Sequence, residues 1–260
     1  MEKLLKLQFF DKWQSMLDID IKQEFLAIQK QELEPHSFTF YTSVSVMASS
    51  KIEGEQMELD SFVKHKILNV AYHPELVEKP NDLYNAYLFA SENLLNQKNF
   101  IIAHKHISAH LLPKIQQGIL RKTEMLVLEH KTGKIQYEAA SGAIVKNKYL
   151  QLWKEIDTLL KTDLNIEEVF YYSAMIHLAF VNIHPFNDGN GRISRLLEKW
   201  FLTEKLGESA WYIKSEKYYY KNVADYYKNL SRLGIFYDKL DYNNCLPFLL
   251  MLPQSLVFDK

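Results

Sequence analysis

Cysteine, glycine and proline are all scarce in this chain. One cysteine, Cys245, among 260 residues excludes an internal disulfide and suits a reducing compartment. Eight glycines and seven prolines leave few places to turn, so long helices are expected. An excess of one charge is lacking too. With 31 Lys and Arg against 32 Asp and Glu, the formal net charge is -1, and no global basic field draws in nucleic acid or an anionic membrane. Long apolar runs are missing. The stretch 169–183 carries His177 and Asn182 and falls short of the ~20 apolar residues a membrane span needs. A second run, 245–253, is broken by Pro247 and Pro253. The first residues, Met1-Glu-Lys-Leu-Leu-Lys6, lack the apolar stretch of a signal peptide. These absences predict a soluble, cytoplasmic protein with no nucleic-acid and no membrane partner.

What is present is mostly helical pattern. The hydrophobic fraction of 47% is enough for one large core or two modest ones. Helical periodicity recurs over 4–29, 38–52, 83–95 and 149–160. Asn81-Asp-Leu83 and Asn165-Ile-Glu-Glu168 read as helix starts with acidic first turns, and 78–82 reads as a solvated loop before the former. The segment 125–138 differs. Met125-Leu-Val-Leu and Ile135-Gln-Tyr-Glu138 are β-prone runs flanking Lys131-Thr-Gly-Lys134, a hairpin signal. The segment 212–256 reads as further helical core. There is no repeat, low-complexity tract or flexible linker.

Twelve consecutive residues concentrate the chemistry: His184-Pro-Phe-Asn-Asp-Gly-Asn-Gly-Arg-Ile-Ser-Arg195. Pro185 disfavours helix at His184, so the preceding helix should end near Ile183. Asp188-Gly-Asn-Gly191 makes a tight turn, and a helix restarts at Arg192. The turn therefore delivers backbone N–H groups at a helix N-terminus, a natural anion site. Arg192 and Arg195 are three apart, share one helix face and can reach one polyphosphate. Asp188 is a hard oxygen ligand suited to Mg²⁺ shared with phosphates. His184 at the other lip could take a proton from an attacking hydroxyl. His177 reads as a core histidine. His104, His106 and His110 read as structural, because no cysteine or acidic cluster accompanies them.

His-Pro-Phe-x-Asp-Gly-Asn-Gly-Arg-x-x-Arg is the signature of Fic domains, and the chain resembles that family at every defined position. The resemblance runs over roughly 100–250 and includes Tyr226-Tyr-Lys-Asn-Leu230, similar to the family's downstream Tyr-Tyr element. It implies an all-α, Fic-type helical bundle with a small β-hairpin flap beside the active site. On that view 1–98 is an N-terminal helical region, 99–210 the core, and 211–260 a helical extension packed on it. The implied reaction is protein adenylylation, in which AMP moves from ATP to a hydroxyl of a target protein. His184 would be the general base and Asp188 the Mg²⁺ ligand. Gly189, Asn190 and Gly191 would cradle phosphates. Arg192 would neutralise the β-phosphate region and Arg195 the γ-phosphate. Gly191 favours nucleotidyl transfer, since relatives that transfer a terminal phosphate carry Lys there. Tyr226 or Tyr227 is expected to contact the base. Relatives form dimers, so a homodimer is among the implied partners.

Far upstream, Ser49-Ser-Lys-Ile-Glu53-Gly54 ends a helical run, with Ser49 and Glu53 one turn apart. By itself it reads as a glycine C-cap, or as a Ser50-x-x-Glu53 capping box that would start a helix instead. The segment also resembles the inhibitory motif of Fic proteins that carry an inhibitor helix N-terminal to the core. That implies a salt bridge from Glu53 to Arg195 and an enzyme that is off by default. The flap would dock an extended target segment by strand addition, lined by Ile135 and Tyr137. Two other readings use the same residues: removal of AMP from a modified protein, and a nucleotide-sensing scaffold without transfer activity.

Overall fold

A computed structural model describes residues 2–30, 34, 36–128, 133 and 135–258. The chain is mostly helical. In order come α1 (Phe10–Ser15), α2 (Ile21–Gln29), α3 (Ser37–Ile52), α4 (Leu59–Leu68), α5 (Pro74–Glu92) and α6 (Gln97–Ile107). A two-stranded hairpin follows, β1 (Leu126–Leu128) and β2 (Ile135–Glu138). Then come α7 (Val145–Lys161), α8 (Ile166–Ile183), α9 (Asn190–Leu206), α10 (Ser215–Lys221), α11 (Val223–Ser231), α12 (Leu246–Leu249) and α13 (Met251–Gln254).

Helix α8 is the axis of the bundle. Every residue from Val169 to Ile183 is buried, which explains an apolar run without amphipathic alternation. Its start is fixed by a capping box: the Asn165 side chain accepts from Glu168 N, and Glu168 accepts from Asn165 N, both at 2.8 Å. Helices α9, α7 and α12 pack against it. One hydrophobic core runs from Leu5 to Leu256 and draws on all three expected regions.

Helix α3 is buried although it is rich in serine. It packs against α10, α4 and α5, and also meets α9. Its polar face meets buried cations on α9. Lys199 Nζ donates to Ser45 Oγ at 2.8 Å, to Ile213 O at 2.8 Å and to Glu216 Oε2 at 2.6 Å. All three ammonium hydrogens are thus used, which is what makes a buried lysine tolerable.

Three expectations about helices are corrected. The periodic stretch 4–29 is two helices rather than one, because Asp20 turns its carboxylate onto Gln23 N at 2.9 Å and caps a new start. The solvated loop at 78–82 is helix. Helix α5 starts at Pro74, a proline in the first turn, and runs through Pro80. Burial of Val77, Leu83, Tyr84 and Tyr87 compensates the hydrogen bond that Pro80 cannot donate. Helix α9 begins at Asn190, two residues before Arg192.

The hairpin is antiparallel, with Val127 opposite Tyr137 and Leu128 opposite Ile135, so the pairing skips Gln136. It leans on the C-terminal region through Glu138 N, which donates to Ile235 O at 2.6 Å. Of the expected turn, Lys131, Thr132 and Lys134 lie outside the described residues. Gly133 takes φ +68°, as a turn glycine does. No helix among the described residues is long and apolar enough to cross a membrane.

Candidate active site

The site forms where α8 ends and α9 begins. His184 terminates α8 in the left-handed region, φ 51°. Such an end strands carbonyls that a helix would otherwise pair. Here two of them are claimed by one side chain. Arg121 is buried and donates from Nε to His184 O at 2.7 Å and from Nη2 to Ile183 O at 3.1 Å. Its remaining guanidinium hydrogens reach Thr123 O and Ala140 O, at the base of the flap. The Arg121 main-chain N–H takes Pro185 O at 2.9 Å, and Ala140 N takes Asn182 O at 3.4 Å. Arg121 thus ties the helix end to the flap. Nothing in its sequence neighbourhood distinguishes it from a surface arginine.

The loop is laced from within. Phe186 is fully buried, as its apolar character predicts, and stacks on His104 with ring centroids 3.6 Å apart. His104 accepts from Gly118 N at 3.0 Å through Nδ1, so its Nε2–H donates to Asp188 O at 3.0 Å. Burial pushes the His104 pKa down to about 4, in keeping with a neutral ring of fixed tautomer. His104 is therefore structural, as expected, but its task is to hold this loop. His110 is structural too, bonded to Asp82 at 2.8 Å. No group of three metal-ligating side chains occurs among the described residues.

Asn190 uses its side chain inward. It accepts from Phe186 N at 2.9 Å and donates to Phe186 O at 2.8 Å. Its share in an anion cradle is confined to the main chain. Gly189 takes φ +78°, where a side chain is strained, and a Cβ there would press to 3.3 Å from Ile107. Asp188 is exposed, with Oδ1 accepting from Gly189 N at 2.6 Å. One exposed carboxylate beside a helix N-terminus fits Mg²⁺, which is held by one or two carboxylates together with substrate phosphates.

Both arginines are buried and both meet carboxylates. Arg195 Nη2 donates to Glu53 Oε1 at 2.7 Å and to Ser49 O at 3.1 Å, and Nε donates to Ser49 Oγ at 2.8 Å. Burial would weaken its hold on the proton, but Glu53 and Tyr226 outweigh it and the guanidinium stays firmly charged. The same Glu53 oxygen would lie 2.3 Å from a Cβ at residue 191, so only glycine leaves room for it. Glu53 is thus seated on the first turn of α9, the position that suits an anion. Gly54, φ +90°, ends α3 as a C-cap, with Glu55 N returning to Ser50 O at 3.1 Å. The alternative capping box does not form.

Sequence reading missed the second pair. Arg192 Nη2 donates to Glu55 Oε1 at 2.8 Å, and Lys79 of α5 approaches the same oxygen at 3.3 Å. Arg192 Nε is buried without a hydrogen-bond partner among the described residues. An orphaned guanidinium N–H at the start of α9 suits a phosphate oxygen.

Two expected contacts are corrected. Tyr137 does not line an open flap. The skipped residue in the pairing resets the alternation, leaving Ile135 exposed while Tyr137 is buried against His184. Its hydroxyl lies 2.9 Å from His184 Nδ1 and 3.3 Å from Val181 O. Tyr226 is buried and does not face a base. Its hydroxyl meets His177 Nε2 at 3.0 Å and Arg195 Nη1 at 3.4 Å, while His177 Nδ1 is 2.8 Å from Glu198. His177 is a core histidine that reaches Arg195 through Tyr226. Tyr227 is half-buried, and its hydroxyl donates to Ile52 O at 3.2 Å. Burial, with Arg121 nearby, lowers the His184 pKa to about 4, so the ring is neutral at pH 7.

Residues 94–202 match the Fic/DOC family. The chain carries a Fic domain. The fold matches a Fic family protein from Desulfovibrio desulfuricans G20 with a TM-score of 0.74 at 20% identity, over 91% of this chain and 70% of that one. It also matches a Fic domain containing signaling protein from Bacteroides thetaiotaomicron, TM-score 0.67 at 16% identity, over 91% of this chain and 94% of that one. Among curated relatives, a protein adenylyltransferase Fic from Aedes aegypti is 26% identical over 186 residues, which are 66% of this chain and 33% of that protein. The match thus spans about a third of that relative's length.

Proposed function

We propose that this Fic domain transfers AMP from ATP to a hydroxyl side chain of a target protein and that the state described here is its off state. The observation that carries the reading is the seating of Glu53, which holds Arg195 and occupies the α9 N-terminus beside Gly191. A carboxylate placed there competes with a phosphate for the same donors.

In the on state Glu53 is displaced and the polyphosphate takes its place. Arg195 then binds the γ-phosphate and Arg192 the β-phosphate region, its free Nε included. The main-chain N–H groups at Gly189–Gly191 cradle the phosphates. Asp188 would hold Mg²⁺, which when bound would supply charge neutralisation at the polyphosphate. His184 accepts the proton of the target hydroxyl as that oxygen bonds to the α-phosphorus, and the bond to pyrophosphate breaks. A histidine with a depressed pKa is already unprotonated at pH 7 and is ready to act. The flap, with Ile135 exposed, is the surface for the target segment.

The test is Glu53→Gly. Incubated with ATP, the variant is expected to label itself with AMP, seen as an added adenylyl mass, well above wild type; equal labelling removes the autoinhibition reading. Chelation by EDTA is expected to abolish labelling, and a full rate in EDTA removes Asp188 from the metal role. Release of AMP from a modified target that depends on Glu53 would favour the hydrolytic reading instead.

A further inference from the structure

We propose that Tyr137 is a positioning residue that fixes the tautomer of His184, leaving Nε2 unprotonated as the base. The inference rests on the transfer reading only for its kinetic arm.

The argument starts from a missing donor. In a helix, Val181 O would accept from the main-chain N–H four residues ahead, which is Pro185 and has none. The last helical bond of α8 runs from His184 N to Phe180 O at 2.9 Å. Asn182 O, Ile183 O, His184 O and Pro185 O all find donors in Ala140 and Arg121. Val181 O is left over in a buried place, where an unpaired carbonyl is costly.

Two groups can serve it. The Tyr137 hydroxyl lies 3.3 Å from Val181 O and 2.9 Å from His184 Nδ1, and Nδ1 is itself 3.3 Å from Val181 O. A hydroxyl has one hydrogen. If it donates to Nδ1, then Nδ1 carries no hydrogen and Val181 O has no donor at all. If it donates to Val181 O, Nδ1 must carry the hydrogen and donate to the hydroxyl oxygen. Only the second arrangement satisfies all three groups. It gives a chain from Nδ1–H to Tyr137 Oη and from Tyr137 O–H to Val181 O. Nε2 then holds the free lone pair. The proline of the motif thus does more than end the helix. It creates the need that selects the reactive tautomer, and the flap supplies the residue that meets it.

The experiment uses the full chain with ¹⁵N-labelled histidine, in the Glu53→Gly background so that transfer can be measured. Loss of one ring system in His184→Ala assigns the His184 signals. Wild-type Tyr137 is expected to give the long-range ¹H–¹⁵N pattern of an Nδ1–H ring. In Tyr137→Phe that pattern should give way to a mixture or to Nε2–H, and AMP transfer should fall about tenfold, one lost hydrogen bond's worth, at unchanged nucleotide affinity. An Nε2–H ring with Tyr137 present, or an unaltered Nδ1–H pattern in Tyr137→Phe, overturns the proposal. So does a changed pattern with an unchanged rate. Tyr137→Met, which also lacks the hydroxyl, is read in the same way should the phenylalanine variant not fold. If Glu53→Gly transfers nothing at all, the transfer reading fails, and the tautomer measurement still decides what Tyr137 does.

Discussion

The two sides of the cleft are held by different kinds of bond. On one side, the loop 185–189 is fixed by contacts no ligand could replace: Phe186 stacked on His104, Asn190 clasping Phe186, and Arg121 on successive carbonyls. On the other side, Ser49, Glu53 and Glu55 reach the arginines of α9 with oxygens, the contacts a polyphosphate would make. The first set builds the site and the second fills it. On the proposed reading the site is rigid and still switchable, because scaffold and blocker use separate groups.

Breaking the chemistry while sparing both sides should have the largest effect. His184→Ala in the Glu53→Gly background is expected to lower AMP transfer on the order of 10³-fold, about 4 kcal/mol, with nucleotide binding retained in calorimetry. Loss of binding as well would mean that His184 shapes the loop instead.

Acid should break the scaffold side. The folded His104 pKa is about 4, below the ordinary histidine value of 6.5. Its contribution to stability is therefore complete above pH 6.5 and is lost as pH falls from 6.5 towards 4. That is worth roughly 3 kcal/mol for a fully buried ring. Urea midpoints measured at pH 7 and pH 4.5 should differ accordingly, and a flat profile would contradict the assignment. His184 adds in the same direction.

Removing the blocker is the next largest effect. Glu53→Gly is expected to raise nucleotide affinity or labelling on the order of 10- to 100-fold, the range of one charge-assisted, buried pair. Glu55→Gln should raise nucleotide affinity only a few-fold, about 1 kcal/mol, because Glu55 is shared between Arg192 and Lys79 and the amide oxygen still accepts from Arg192. If Glu55→Gln matches Glu53→Gly, the two arginines are equal gates and Glu53 has no special weight.

Much of this was legible in the chain. Pro185 ends α8 at Ile183, Asn165 and Glu168 start it, and Gly54 caps α3, all through neighbours within a turn. Such signals are local, so a sequence displays them. The hidden part is the set of long-range choices. Arg121, His104 and Glu55 bear no local mark, since what they do depends on which carbonyl, ring or arginine is packed against them. Tyr137 was misplaced because one unpaired residue in a strand reverses which side chains face inward, and alternation alone cannot reveal it. Tyr226 was misplaced because an aromatic doublet on a helix does not say which member faces the core.

The sequence by itself determined the loop between α8 and α9 and the arginines on one face of α9. Those depend on residue identity and on the period of a helix. Only the tertiary structure decided that Glu53 lies on Gly191, that Glu55 takes Arg192, and that Tyr137 stands behind His184. Glu53 and Arg195 are 142 positions apart. Their meeting is set by how α3 packs into a buried polar seam with α9 and α10, and no local propensity encodes that.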